Sequence, residues 1–193
     1  MSFSLKRLLF AATMGFFSIS LYAQPDESFQ SLCINTWMKK SSDFSDGVNF
    51  KNFGEKYCTC AAGQQLDNDA AIQKAIQFCM SKTLLHDAME SLEEEAGLSE
   101  ANDTDIKEYC EDRWNLVFSK QTDANKKITV AFCECAKPKL MDLIKKADDV
   151  TDTQYEKGID DVAAACSGRI KKFLLQPRFL LFQMKQLSER PVE

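Results

Sequence analysis

Cysteine is the residue type in this chain whose number and spacing could do chemistry. There are eight cysteines in 193 residues, arranged as two sets that each read C, then C-x-C, then C. Adjacent thiolates could bind a soft metal such as Cu(I), exchange with other thiols, or close structural disulfides. The first set is Cys33, Cys58, Cys60 and Cys79, and the second is Cys110, Cys133, Cys135 and Cys166.

The spacing favours structural disulfides over metal or thiol chemistry. Each C-x-C pair has two outlying cysteines in register, so every thiol has a partner within its own set. The sequence has no C-x-x-C of the thioredoxin type and no C-x-x-C-H for haem attachment. We therefore expect four disulfides that use all eight cysteines. A thiol–metal or redox carrier built on the two C-x-C pairs is the alternative.

Other candidate chemistry is sparse. The only histidine, His86, follows two leucines in a predicted helix, and we interpret it as an exposed or half-buried helix residue. Glu90 and Glu93–Glu95 form an acidic run that is more typical of a solvated helix end than of a calcium site. No G-x-S-x-G elbow, H-E-x-x-H motif or phosphate-binding glycine loop is present. The sequence thus predicts a protein that is not an enzyme and that uses no metal or cofactor.

The two cysteine sets belong to an internal repeat. Trp37 and Trp114 each follow the first cysteine of a set by four residues, and an aromatic residue, Tyr57 or Phe132, precedes each C-x-C pair. Apolar residues recur at helical spacing, and only 7 glycines and 4 prolines are present, which favours an all-α fold. The sequence predicts two tandem, disulfide-stapled units of three helices each. The predicted helices span 27–40, 49–65 and 69–92, then 103–120, 124–147 and 152–175.

Three local features refine these helices. Gly63 and Pro138 each lie three residues after a C-x-C pair, so we expect the middle helix of each unit to bend or end there. Thr151 and Gln154 have the spacing of a capping box. The second unit has 12 extra residues between its C-x-C pair and its last cysteine, which would lengthen an adjoining helix by about three turns.

The disulfide pairing within a unit is not fixed by these spacings. Residues i and i+2 of a helix point in nearly opposite directions, so the two cysteines of a C-x-C pair cannot easily bond to each other. We expect one of them to bind the first helix and the other to bind the third. Counting residues from the loops does not separate Cys33–Cys60 with Cys58–Cys79 from Cys33–Cys58 with Cys60–Cys79. We favour the first, with Cys110–Cys135 and Cys133–Cys166 in the second unit.

The N-terminal 23 residues have the layout of a cleavable export signal. Lys6 and Arg7 precede an uncharged apolar run from Leu8 to Leu21, and the small Ala23 stands before a polar stretch. The run is shorter than the roughly 20 residues of a spanning helix. The predicted domains are a signal peptide (1–23), a first unit (24–98), a second unit (99–176) and a basic amphipathic C-terminal tail (177–193).

Charge is divided unevenly along the chain. The whole chain carries −5, residues 24–167 carry −11, and residues 168–193 carry +4. An acidic body is not typical of a nucleic-acid-binding protein. The tail combines apolar and basic side chains, and it either packs on the acidic body, which we favour, or binds a protein partner or an anionic membrane. Its candidate surface residues are Arg178, Phe179, Leu180, Phe182, Lys185 and Leu187.

The pattern C…W…[YF]-C-x-C…C resembles a loose group of exported, helical, cysteine-rich proteins of Gram-negative bacteria. The resemblance covers nearly all of residues 27–170 and rests on cysteine spacing. It implies a periplasmic or secreted location, and it implies no reaction, cofactor or substrate. From the residues and the resemblance together we expect an exported, non-enzymatic helical binding or interaction protein. Its partner would be an unidentified protein, not a nucleic acid, with peripheral membrane contact through the tail as a further option.

Overall fold

Six α-helices form the structure, and there is no strand in the described ranges. The computed structural model describes residues 28–39, 47–117 and 122–170. Short 3-10 helices follow α3, α5 and α6, at Leu98–Glu100, Ala147–Asp149 and Ser167–Ile170. The prediction of an all-α fold with disulfide-stapled helices is confirmed. The α-helices are α1 (Phe29–Met38), α2 (Gly47–Ala62), α3 (Asp69–Glu95), α4 (Asp103–Val117), α5 (Asp123–Ile144) and α6 (Asp152–Cys166).

Polar N-cap side chains fix where the helices begin. Ser28, Asn68 and Thr122 each accept a hydrogen bond from the backbone N–H three residues later, which satisfies one of the free donors of the first turn. At the start of α6, Thr151 and Gln154 bond reciprocally. The predicted capping box is therefore confirmed.

The two middle helices end differently. Helix α2 stops at Ala62, directly before Gly63, as expected. Helix α5 continues through Pro138 to Ile144, so of the two expected outcomes, a bend or an end, the helix does not end at this proline. Because proline has no backbone N–H, the carbonyl of Glu134 loses its donor within the helix. Both residues are exposed, so water can donate to this carbonyl instead.

Of the 12 extra residues of the second unit, seven lie in α5, four in α6 and one in the connection between them. After the second cysteine of the C-x-C pair, α2 continues for two residues and α5 for nine. Ten residues of α3 precede its bonded cysteine, against 14 residues of α6. The hairpin is thus longer by about two turns on α5 and one turn on α6, whereas we expected a single helix to take all three.

Trp37 is the centre of the α1–α2 contact. Its ring lies 4.9 Å from the ring of Phe50, 5.6 Å from Phe53 and 5.5 Å from Tyr57, measured between centroids. Its indole Nε1 donates to the carbonyl of Phe50 at 2.9 Å. Gly54 lies directly under the ring, where a Cβ atom would overlap the indole. The glycine therefore permits the close approach of the two helices.

The second unit repeats this packing around Trp114. Trp114 is fully buried and packs on Phe132, with ring centroids 5.6 Å apart. The position equivalent to Gly54 is Thr129, which is buried. A glycine instead lies at the next contact, where Gly158 of α6 faces the side chain of Leu143.

The second half of α3 joins the two units. This helix packs on α2 in its own unit and on α4 and α6 of the other. The 3-10 helix Ser167–Ile170 packs on α3, α5 and α6, with Ile170 fully buried. Buried residues of both units belong to one hydrophobic cluster, so the units are separate in their disulfides but share a core. The α3 residues buried beyond Cys79 include Met80, Leu84, Leu85, Met89 and Leu92.

We predict that Gly54→Ala destabilises the protein while Gly158→Ala does so less. The new methyl at position 54 meets a packed indole ring, and such overpacking costs about 1–3 kcal/mol. At position 158 the methyl meets the end of a flexible leucine, and the gain in helix propensity of up to about 1 kcal/mol offsets part of the cost. Thermal unfolding followed by circular dichroism measures both. Equal losses in the two variants would contradict the role assigned to the Trp37–Gly54 contact.

Candidate functional site

All eight cysteines are bonded within their own units. Cys33–Cys58 joins α1 to α2, and Cys60–Cys79 joins α2 to α3. In the second unit Cys110–Cys133 joins α4 to α5, and Cys135–Cys166 joins α5 to α6. The Cα atoms of the pairs are 5.6–5.9 Å apart, which is ordinary disulfide geometry. The expected four disulfides are confirmed.

The pairing that we favoured from the sequence was wrong in both units. Cys58 lies on the buried face of α2, next to Tyr57, and this is the face on which Trp37 of α1 packs. Cys60 is turned by about 200° from Cys58 and is only half-buried, so it reaches Cys79 of α3. The packing of the aromatic residues decides which of the two sulfurs faces α1.

Oxidation of the cysteines removes the ligands that a soft metal needs. A thiolate, not a disulfide sulfur, binds metals and attacks other disulfides. Four disulfides are typical of a chain that folds in an oxidising compartment. In the part of the chain that the structure describes, no group of three or more His, Cys, Asp and Glu side chains is arranged to hold a metal ion.

A cleft of about 720 Å³ lies between the second half of α3 and the beginning of α6, and we call it the α3–α6 cleft. Its floor is apolar. Met89 and Ile159 are buried beneath it, and Leu98, Val150 and Tyr155 are half-buried in its lining. The cleft thus offers an apolar surface in an exposed position between two units that are fixed to each other.

Carboxylates surround the apolar floor. Glu90, Glu93, Asp148, Asp152 and Glu156 line the α3–α6 cleft, and each is exposed. A neighbouring cleft of about 540 Å³ continues this surface and shares Lys56 and Glu90 with it. Counted over the described residues, the two clefts together are lined by nine carboxylates, against one lysine and one arginine. The surface is therefore strongly acidic.

Lys56 of α2 neutralises part of this surface. Its ammonium lies 2.7 Å from an oxygen of Asp87 and 2.5 Å from an oxygen of Glu90, both on α3. Burial would lower the pKa of Lys56, but its hydrogen bonds to these two carboxylates outweigh burial and raise that pKa. The lysine therefore stays charged, and it holds α2 against the acidic side of α3.

Asp160 of α6 joins the two units at the edge of the cleft. One of its oxygens accepts from Lys82 at 2.7 Å, and the other lies 2.8 Å from Nε2 of His86. Burial would raise the pKa of Asp160, but the hydrogen bonds from Lys82 and His86 lower it below its ordinary value. Among the described residues that line the α3–α6 cleft there is no serine, threonine or cysteine. The interpretation of His86 as a half-buried helix residue is confirmed.

Tyr155 lines the cleft and carries a buried hydroxyl group. Its hydroxyl is buried and has no hydrogen-bond partner among the described residues. Burial, with a smaller contribution from Glu93, raises the pKa of Tyr155 to about 12. The hydroxyl is therefore protonated at neutral pH.

The structure bears on only some of the sequence predictions. Residues 1–27 and 171–193 lie outside the described residues, so the export signal and the tail surface (Arg178, Phe179, Leu180, Phe182, Lys185 and Leu187) remain predictions. The cleft itself was missed. Glu93 and Glu156 are 63 residues apart in sequence, and only the packing of α3 on α6 brings them together. The capping box before α6 was the nearest local signal.

Comparison with known proteins assigns no family. No protein-family model matches the chain, and no curated protein or solved structure does so either. None of the helices in the described ranges is long and apolar enough to span a membrane.

We predict that Cys33→Ala with Cys58→Ala leaves no free thiol, because these two residues are partners. The variant should keep its other three disulfides and lose about 3–4 kcal/mol of stability, the value of the chain-entropy model for a loop of about 25 residues. The variant Cys33→Ala with Cys60→Ala instead removes one cysteine from each of two native disulfides. It leaves Cys58, which faces α1, and Cys79 of α3 without their partners. Thiol titration after denaturation should detect two free thiols in that variant. If the first variant had two free thiols and the second had none, the pairing Cys33–Cys60 with Cys58–Cys79 would be supported instead.

We predict that Asp160→Asn lowers the melting temperature at pH 7 and that its effect becomes smaller as the pH falls below about 4. A carboxyl whose pKa is lowered on folding stabilises the protein above its unfolded pKa of about 3.9, and this contribution is lost as the pH falls through the lower folded value. The pair is partly exposed, so the loss should not exceed about 1 kcal/mol, or about 2–4 °C. Asp161→Asn, which removes an exposed partner of Lys157, is the control and should cost less. A loss that does not depend on pH would contradict this assignment.

Proposed function

We propose that this chain is an exported, non-enzymatic helical binding protein of the periplasm or the secreted fraction. Its ligand would be a cationic amphipathic segment of a protein partner, bound in the α3–α6 cleft. The predicted export signal and the four disulfides support the location.

The observation on which the proposal rests is the combination of an apolar floor with an acidic rim. Leu98, Val150 and Tyr155 offer apolar surface, and Glu93, Glu156 and the other rim carboxylates surround it. A segment that alternates apolar and basic side chains matches both features. A purely apolar ligand would leave the carboxylates unpaired, and a purely basic ligand would leave the floor exposed.

Neither feature alone gives useful affinity. An exposed ion pair contributes about 0.2–1 kcal/mol, and burial of apolar surface contributes about 25 cal/mol per Å². Association itself costs about 4–15 kcal/mol. A few ion pairs together with the limited apolar surface of an open cleft therefore correspond to weak binding. The expected partner is one that binds reversibly.

The alternative of a thiol–metal or redox carrier has less support. Each sulfur of the two C-x-C pairs is already bonded to a cysteine on another helix. Two disulfides of a unit would have to be reduced before its C-x-C thiolates could act together. No feature of the described residues favours that step.

Binding can be tested with the mature chain, residues 24–193, and a fluorescent 17-residue peptide of alternating leucine and lysine content. We expect a rise in anisotropy that weakens as salt is added, because the rim is exposed to solvent. A twin peptide with glutamate in place of lysine should not bind. Tight binding of the acidic twin would refute the proposal.

A pair of matched variants locates the binding. The triple variant Glu93→Gln, Asp152→Asn, Glu156→Gln neutralises the rim, and we expect it to bind the lysine peptide about tenfold more weakly. The control, Glu108→Gln, Asp112→Asn, Asp142→Asn, changes the net charge equally at exposed positions that line neither cleft. It should bind like the unmodified chain. Equal losses in both triple variants would mean that the net charge, not the cleft, attracts the peptide.

A further inference from the structure

We infer that residues 171–187 of this chain occupy the α3–α6 cleft, so that the protein carries its own competitor for the partner. This inference rests on the proposed function, because it concerns the same cleft. We call residues 171–187 the basic segment. It contains the six residues of the predicted tail surface, Arg178, Phe179, Leu180, Phe182, Lys185 and Leu187.

The composition of the basic segment complements the cleft. It has four basic side chains and no acidic one, in a chain whose residues 24–167 carry −11. Phe179, Leu180, Phe182 and Leu187 supply apolar side chains between the charges. The cleft offers the reverse arrangement, with an apolar floor inside a rim of five carboxylates. Charge and hydrophobicity therefore match in the same place.

The start of the basic segment is fixed within reach of the cleft. The described chain ends at Ile170, which is fully buried in the 3-10 helix that packs on α3 and α6. These are the two helices that form the cleft. From Ile170 back along α6 to Glu156 is about 20–25 Å, at the usual rises of the two helix types. An extended segment of 17 residues spans up to about 56 Å, so its apolar residues reach the floor without strain.

Attachment to the same chain makes weak contacts sufficient. A ligand joined by a short flexible link has an effective concentration of about 1 mM. If the isolated segment binds with a Kd of about 100 μM, the attached segment fills the cleft in about nine molecules of ten. An external partner must then compete, and its apparent affinity falls by about tenfold.

Zero-length cross-linking tests the contact directly. A carbodiimide joins a lysine to a carboxylate only where the two form an ion pair. In the mature chain at low salt we expect peptides that join Lys185 to Glu93 or Glu156. The rim variant should lose these cross-links, and the control triple variant at positions 108, 112 and 142 should keep them.

Isotope mixing identifies the occupant. If ¹⁵N-labelled and unlabelled chains are mixed, cross-links within one chain join peptides of a single isotope. Mixed-isotope cross-links would show that the basic segment of a second copy occupies the cleft, and this result would overturn the inference. Absence of cross-links, together with binding of the chain to vesicles of phosphatidylglycerol and phosphatidylcholine, would assign the segment to a membrane instead.

Competition separates this inference from the proposed function. A quadruple variant neutralises the basic segment by replacing its four basic residues with glutamine: Lys171→Gln, Lys172→Gln, Arg178→Gln and Lys185→Gln. We expect this variant to bind the external lysine peptide about tenfold more tightly than the unmodified chain. The control neutralises Lys126, Lys127, Lys139 and Lys145, which are exposed and line neither cleft. Equal, cleft-dependent binding by all three chains would overturn the inference and leave the function standing. Cross-links without any peptide binding would support the inference and overturn the function.

Discussion

The direction in which two cysteines leave a helix is the constraint on which the rest of this structure depends. Successive helix positions advance by about 100°, so Cys58 and Cys60 leave α2 on nearly opposite sides and bind α1 and α3. Cys133 and Cys135 do the same from α5. Each middle helix is thereby fixed between two neighbours. Each loop closure is worth about 3–4 kcal/mol, comparable to what the core of so small a unit supplies by itself.

Helix α3 carries this constraint into the second unit. Its disulfide is at Cys79, in the first half of the helix, and the 16 residues that follow pack on α4 and α6. Their inner face supplies Leu85 and Leu92 to the common core. Their outer face supplies Glu90 and Glu93 to the acidic surface. One helix therefore holds the units together and forms a wall of the cleft between them.

Local rules predicted the parts of the structure that depend on neighbours in sequence. The repeat, the helices, the capping box at Thr151 and the presence of four disulfides follow from spacing and counting. The choice between Cys58 and Cys60 does not, because it depends on which face of α2 Trp37 packs on. The cleft was not predicted either, since the contact between Asp160 and Lys82 joins residues far apart in the chain. The local pattern left open whether α5 bends or ends at Pro138. The helix continues there, and the carbonyl that the proline leaves unpaired is exposed.

The C-x-C spacing also has a consequence for how the chain matures. The native pairs of the first unit close loops of 25 and 19 residues, and the exchanged pairs, Cys33–Cys60 and Cys58–Cys79, would close loops of 27 and 21. Loop-closure entropy hardly distinguishes lengths so similar, so an unfolded chain that meets an oxidant forms both sets at comparable rates. The indole of Trp37 must be seated on α2 before the correct set is preferred. Chains that oxidise too early therefore depend on thiol–disulfide exchange, and on the enzymes that catalyse it, to reach the native bonds.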